Sequence, residues 1–400
     1  MKKIVLLSII ILFSCRINAQ NTTNSPSSMF GLGDLSTGEG GLYAGMGGVS
    51  MALRSANFLS IANPASLTGI GSQKLLFNVG VMVAIKEYSQ SNTSSTSFVG
   101  NVSNAAIGFR ILPKWYGAVS LTPVSSVGYS IKLDQEVEGS PGSIISSQFE
   151  GEGGISKISF SSAFLLTKHL SAGVNFSYIT GDITEKELQG SATIEEKSEK
   201  RAVYADFGLQ YHYPMSNGRS VTLGAVYGYS QRLAQDNSIT VSSSSSSEYI
   251  DDEQRSVKQY LPAFYGFGVA YNSQRWIASA EYKYMDWSKM KSVKSGIRYD
   301  NQHKISLGAS YTVGNIYKLP KQIMLGAGYY NSYVVIKNEK PQNFYISAGM
   351  GFTMQNSSTV SFGIKYNDQF NVSASTQKER MLSLFLNVAF SERSYKSKLR

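Results

Sequence analysis

Cysteine is nearly absent from this 400-residue chain: there is one, Cys15. A single thiol has no partner within the chain, so a disulfide framework is excluded. Long apolar runs are missing as well, and no stretch approaches the ~18 residues that a membrane-spanning helix needs. Charge is modest at 16%, and the three histidines, His169, His212 and His303, lie far apart in the sequence. They show neither metal-ligand spacing nor a nucleophile relay, and no G-x-S-x-G elbow occurs. An enzyme is therefore not expected, nor a metal or cofactor. The formal charge of +10 comes from basic residues scattered along the chain rather than clustered among aromatics, so nucleic-acid binding is excluded.

What is abundant is glycine (37 residues), tyrosine (25) and phenylalanine (19). That profile suits many short strands with aromatic belts. Residues 1–19 read as a cleaved signal peptide, with Lys2 and Lys3 before an apolar run from Ile4 to Phe13 that is too short to span a bilayer. Cleavage after Ala19 removes Cys15 and lowers the charge to +7 by removing Lys2, Lys3 and Arg16. The rival reading is a lipoprotein signal that makes Cys15 a lipidated terminus; Phe13 and Arg16 fit it poorly.

From Lys74 onward the sequence alternates with a period of two. Phe344, Ile346, Ala348, Met350, Phe352 and Met354 alternate with Tyr345, Ser347, Gly349, Gly351 and Thr353. Val203, Ala205, Phe207, Leu209, Tyr211 and Tyr213 alternate in the same way with Tyr204, Asp206, Gly208, Gln210 and His212. One face is apolar and the other small or polar, as in a strand between lipid and a wet lumen.

Cutting at turn signals gives about fourteen strand-like segments, from 74–89, 96–112 and 116–133 to 358–370 and 379–390, with 219–235, 255–272, 275–290, 298–313 and 321–336 among them. Short links at 112–114, 168–169, 216–218 and 355–358 alternate with long polar ones at 134–148, 185–200 and 237–255, the last read as a mobile exposed loop. The expected fold is all-β: a transmembrane antiparallel β-barrel of about fourteen strands (74–390), with residues 20–73 as a plug in its lumen and 391–400 as a basic tail. Such a barrel belongs in the outer membrane, among lipid and lipopolysaccharide.

Four stretches carry a family resemblance. Gly45-Met46-Gly47-Gly48 leads into Asn63-Pro64-Ala65; Gly151-Glu152-Gly153-Gly154-Ile155 precedes Leu170-Ser171-Ala172-Gly173-Val174-Asn175; Leu261-Pro262 precedes Gly268, Trp276 and Asp286-Trp287-Ser288; and the last strand ends on Phe390. Together they resemble the FadL/TodX family of outer-membrane transporters for long-chain fatty acids and hydrocarbons. The resemblance implies an N-terminal hatch with an NPA motif, uptake of a hydrophobic small molecule from outside, and its release through a kink in the third strand.

The third strand offers such a kink on its own terms. Thr122, Pro123, Ser125 and Gly128 lie within seven residues; Pro123 cannot donate to a ladder and Gly128 tolerates a bend. A bulge near the barrel rim accounts for them equally well. For a fatty-acid carboxylate the candidate cations are Arg54, Arg110, Lys283 and Lys304, each of which also reads as an ordinary rim or lumen charge. An alternative function is a PorV-like barrel that binds a protein partner as an accessory of a secretion or outer-membrane assembly complex. The polar segment 237–255 and the basic tail suit that role.

Overall fold

The computed structural model describes residues 24–36, 41–90, 93–136, 144–243, 247–251, 257–292, 295–315, 319–354, 357–373 and 376–393. The signal-peptide and lipidation readings, and the tail beyond Arg393, lie outside the described residues.

Fourteen strands form the wall: β1 Lys74–Gln90, β2 Thr93–Leu112, β3 Trp115–Glu136, β4 Ile144–Leu165, β5 Leu170–Gln189, β6 Ala192–Pro214, β7 Ser220–Gly228, β8 Ala263–Asn272, β9 Trp276–Asp286, β10 Gln302–Val313, β11 Lys321–Asn331, β12 Gln342–Thr353, β13 Thr359–Phe370 and β14 Lys378–Arg393. Each pairs antiparallel with the next, and β14 pairs with β1 from Lys74↔Arg393 to Ser89↔Lys378, which closes the barrel. Closure pairs the backbone groups of neighbouring strands, the condition for crossing lipid with strands, except where β2 and β3 part beyond Ala105↔Leu121.

The alternation read from the sequence sets which face is which. Val203 is 75% exposed on the outer surface, whereas Tyr204 is 4% exposed in the lumen. The outer face carries Phe207, Leu209, Ile346, Ile364 and Leu384; the inner face carries Asp206, Gln210, Ser347, Ser361 and Asn387. Aromatic pairs flank the apolar band, with Trp115 stacked on Phe164 and Trp276 packed on Tyr311 near the short turns. Tyr227, Tyr265 and Tyr284 form a row toward the long-loop end. In barrels of this kind the short turns face the periplasm.

The strands differ in height. Strands β3 to β6 have 22, 22, 20 and 23 residues, whereas β7 to β9 have 9, 10 and 11. Roughly 10 residues suffice to cross the membrane, so one side of the wall rises beyond it as a sheet. Ala234–Ser242 pairs with the outer part of β6 and with Ser247–Asp251, widening that sheet. Segments 185–200 and 237–251 are thus hairpins, not the loops expected from their polarity. Gly190, at φ +59°, makes the tight turn between β5 and β6 that replaces the first of these loops. The segments expected at 219–235 and 255–272 are shorter, ending at Gly228 and beginning at Ala263. Pro262 immediately before Ala263 has no N–H to donate, which is consistent with the ladder starting where it does.

Candidate functional site

Residues 41–71 lie against the inner wall, and the wall is shaped for them. A Cβ on Gly208 would strike Asn63 and Pro64, one on Gly308 the Met46 backbone, and one on Gly326 the backbone of Gly47. Gly224 and Gly173 stand in the same relation to Met51 and to Pro64-Ala65. A track of glycines on successive strands lets one backbone approach another closely.

Asn63-Pro64-Ala65 is fully enclosed there. The Asn63 side chain accepts from Ala65 N (3.0 Å), capping the 3-10 turn Pro64–Gly69. Its Nδ2 donates to Met51 O at 2.8 Å, to Leu209 O at 3.1 Å and to Ala225 O at 3.4 Å, so it ties the segment to β6 and β7. Around it, Gln210 donates to Met51 O (2.9 Å), Tyr345 donates to Gly47 O (3.0 Å), and Gly41 N donates to Asn387 (2.8 Å). The Glu281 carboxylate, on β9, accepts from Ser50 N at 2.6 Å and also from Met51 N. Glu281 escaped the sequence reading, although its place in the polar phase of β9, between Ser279 and Lys283, was the available signal.

A second feature is a seam in the wall. The β2–β3 ladder runs from Leu112↔Trp115 only to Ala105↔Leu121. Beyond that level β2 pairs with β1, and β3 pairs with β4. Both strands are irregular near this level: β1–β2 shifts register between Gly80 and Val81, and β3–β4 shifts between Pro123 and Ser125. Thr122, Pro123, Ser125 and Gly128 therefore lie along one edge of the seam, with Val124 as the bulged residue.

Residues 24–36 run along that edge. Asp34 and Leu35 pair with Ser126 and Ser125, Ser36 N donates to Val124 O (2.9 Å), and Ser25 N donates to Gly128 O (2.7 Å). On the other side Asn24 O accepts from Ser97 of β2 (3.4 Å). Lys86 on β1 forms an ion pair with Asp34 at 2.8 Å, and Glu379 on β14 accepts from Ser25 (2.6 Å) and Ser27 (2.8 Å).

The third feature closes the long-loop end. Trp287, 1% exposed, stacks on Tyr333 with centroids 4.1 Å apart, in a cluster with Leu32, Leu233, Leu261, Met290 and Val334. Asp286 accepts from Ser288 N (2.9 Å), and Trp287 N donates to Asn301 (3.0 Å), fixing the turn that delivers the indole. Leu261 and Trp287 of the sequence signature thus meet, with Pro262, Asp286 and Ser288 flanking them. Trp276 does not join them; it is 53% exposed near the short turns. Tyr333 fell inside the segment 321–336 expected as one wall strand; that strand ends at Asn331, and Tyr333 lies in the loop beyond it, where nothing in the sequence marked its role. Its hydroxyl donates to Gly33 O (2.7 Å), and it accepts from Leu32 N (3.2 Å). Burial pushes the Tyr333 and Tyr299 phenols up, so both stay neutral at physiological pH.

The four candidate cations do not form one site. Arg110 is committed to the turn after β2, donating to Leu112 O (3.2 Å) and Pro113 O (2.6 Å) and lying over Tyr116. Arg54 is half-buried in the inner segment. Lys283 and Lys304 are direct cross-strand neighbours facing the lumen, the first 4.5 Å from the Phe264 ring centre and the second 5.9 Å from that of Tyr345. Lys365 also lies over Tyr345, and Lys157 pairs with Asp206 at 3.5 Å, so the lumen here is basic and polar. Of the three histidines, the fold brings two together: His169 Nδ1 lies 3.0 Å from His212 O.

Solved structures share this architecture at low identity. The Pseudomonas putida toluene transporter TodX aligns with 15% identity over 92% of this chain and 100% of its own, at a TM-score of 0.58. The Ralstonia pickettii toluene transporter TbuX gives 14% identity over 86% and 96%, at 0.59. A Pseudomonas aeruginosa FadL homologue gives 12% over 90% and 98%, at 0.56. The resemblance to FadL and TodX therefore holds for the fold. No curated protein matches the sequence. A family model does, and because the BamG model matches residues 1–398, the chain belongs to the BamG family.

Proposed function

We propose that this protein is an outer-membrane conduit through which a small hydrophobic molecule moves passively, leaving sideways through the seam between β2 and β3. The observation that carries this reading is the ladder ending at Ala105↔Leu121 while both strands continue. A gap in a barrel wall lets an apolar solute pass from lumen to lipid without crossing water. The structural relatives titled toluene transporters and hydrocarbon channels lend support by sharing the fold. Fatty acids and monoaromatic hydrocarbons are the solute classes to test, with Lys283 and Lys304 as the pair available to a carboxylate. Uptake of radiolabelled long-chain fatty acid and of toluene, in cells with and without the gene, tests the proposal. A loss of uptake on deletion is expected, and uptake of both compounds unchanged by deletion would sink it.

A second reading has its own observations. The inner face is polar rather than an apolar slot, the inner segment is held by hydrogen bonds from several strands, and one side of the wall rises as a broad sheet. These features suit a closed barrel that serves as a protein-binding accessory. Purification in mild detergent separates the two readings: a stoichiometric protein partner, with solute uptake unaffected by deletion, favours the accessory role.

A further inference from the structure

The two ends of the barrel differ in charge. Five of the six short turns carry an exposed cation: Lys114, Lys168, Arg219, Arg275 and, where the fifth turn meets β11, Lys321. None of the five forms an ion pair among the described residues. At that end Glu392 is the single described carboxylate; the other described acids lie in the lumen or toward the long loops. There the cations are matched, Lys186 with Glu195 at 3.1 Å, Lys197 with Glu199 at 3.1 Å and Lys340 with Asp300 at 2.9 Å. The unmatched cations stand at the foot of the aromatic belt. Lys114 and Arg275 directly precede Trp115 and Trp276, Lys321 is the ladder partner of Phe352, and Lys168 precedes His169, whose ring lies 5.9 Å from that of Tyr213. Such aromatics mark the headgroup level of a bilayer, and long basic side chains beside them reach the phosphates while their stems stay against apolar surface.

We propose that the short-turn rim is a collar for anionic phospholipids, one that gathers phosphatidylglycerol-type headgroups around the barrel in preference to zwitterionic ones. Every Lys or Arg near an anionic bilayer surface is attracted to it, and at this rim almost no carboxylate opposes the attraction. The distribution of the cations favours lipid over a protein partner. They come one to a turn along the arc from β2 to β11, rather than gathered on one side, and a lipid annulus meets all of them at once. Arg110 is already spent on the carbonyls of its own turn, and Lys74 donates to Asn57, so the collar rests on the other five. The long-loop end, with its paired and mostly acidic side chains, offers nothing comparable. The collar therefore complements the apolar band: the band fixes the depth of the barrel, and the rim selects the lipids of the leaflet that the short turns face. It concerns the annulus alone and stands whichever molecule, if any, uses the lumen.

The test is lipid selectivity. The purified protein is reconstituted in phosphatidylcholine vesicles with a trace of spin-labelled phosphatidylglycerol or spin-labelled phosphatidylcholine, and the motionally restricted fraction of each label gives their relative association with the barrel. The parent is expected to favour phosphatidylglycerol about threefold at low salt and to approach parity at 1 M salt, where the Debye length shrinks to about 3 Å. A variant combining Lys114→Gln, Lys168→Gln, Arg219→Gln and Lys321→Gln is expected to lose most of the preference at low salt. Arg275 is kept because its guanidinium donates to Thr312 O and Gly314 O, both at 3.2 Å. Heat-modifiable gel mobility shows that the barrel is assembled; if the fourfold variant is not, the pairs Lys114→Gln with Lys168→Gln and Arg219→Gln with Lys321→Gln replace it, each expected to lose part of the preference. Lys132→Gln with Lys186→Gln, at the long-loop end, is expected to leave the preference intact. Parity in the parent overturns the collar, as does a preference that survives loss of the rim cations or falls equally in the long-loop variant. An acidic protein that co-purifies with the parent but not with the fourfold variant, while the lipids stand at parity, also overturns it and assigns the rim to that protein.

Discussion

At the scale of single residues, the wall and the inner segment meet through atoms that are missing. Gly326→Ala puts a methyl into the Gly47 backbone, and neither partner is a flexible side chain that could yield. Overpacking of this sort costs about 2–3 kcal/mol. Gly190→Ala meets nothing within 4 Å and carries only the strain of φ +59°, about 1 kcal/mol. The temperature at which heat-modifiable mobility is lost should therefore fall further for Gly326→Ala than for Gly190→Ala. Equal values would mean that the inner segment is not seated on the wall. The two tryptophans of the signature divide in the same way. Trp287→Ala opens a cavity under Tyr333 and costs about 3–5 kcal/mol locally, whereas Trp276→Ala at an exposed position costs under ~1 kcal/mol. Limited proteolysis of the loop 287–301 reads the difference, with rapid cleavage expected only for Trp287→Ala.

Among elements, the loops that carry the cap are tied to one another outside the membrane. Lys340 donates to Asp300 at 2.9 Å and to Asn301 O, joining the loop after β9 to the loop after β11. Lys340 holds the Asp300 carboxyl below its ordinary value. A depressed carboxyl contributes its stability above the ordinary pKa of ~3.9 and loses it as pH falls through the lowered value. The Asp300 side chain is 41% exposed, so solvent screening limits this contribution to well under ~1 kcal/mol. Acid protease sensitivity of the 287–301 loop should rise modestly below about pH 4, and Lys340→Met should abolish that pH dependence. The strands themselves were the most legible elements. All fourteen overlap the segments that alternation marked, several with shorter bounds, because a one-residue slip would turn the apolar face inward. Polar hairpins beyond the membrane were misread as loops, since a strand wet on both faces has no alternation to detect.

Taken as a whole, the molecule is a closed barrel whose lumen, wall seam and outer cap are contacted by residues 24–36 and 41–71. Deleting residues 41–71 should leave the glycine track facing water and raise the entry of small hydrophilic antibiotics in intact cells. Unchanged sensitivity, with the barrel still assembled, would show that this segment does not limit permeation.

The sequence by itself determined the all-β barrel, a strand number of about fourteen and the outward apolar face. These rest on a period of two, which is a local property. Only the tertiary structure decided that Glu281 meets Ser50, that Tyr333 meets Gly33, and that residues 24–36 lie where β2 and β3 part. Those contacts join residues more than two hundred positions apart, or fill a gap left by strands that elsewhere pair normally. Periodicity carries no information about which loop closes over which segment; that follows from the geometry of closing the barrel and burying Trp287.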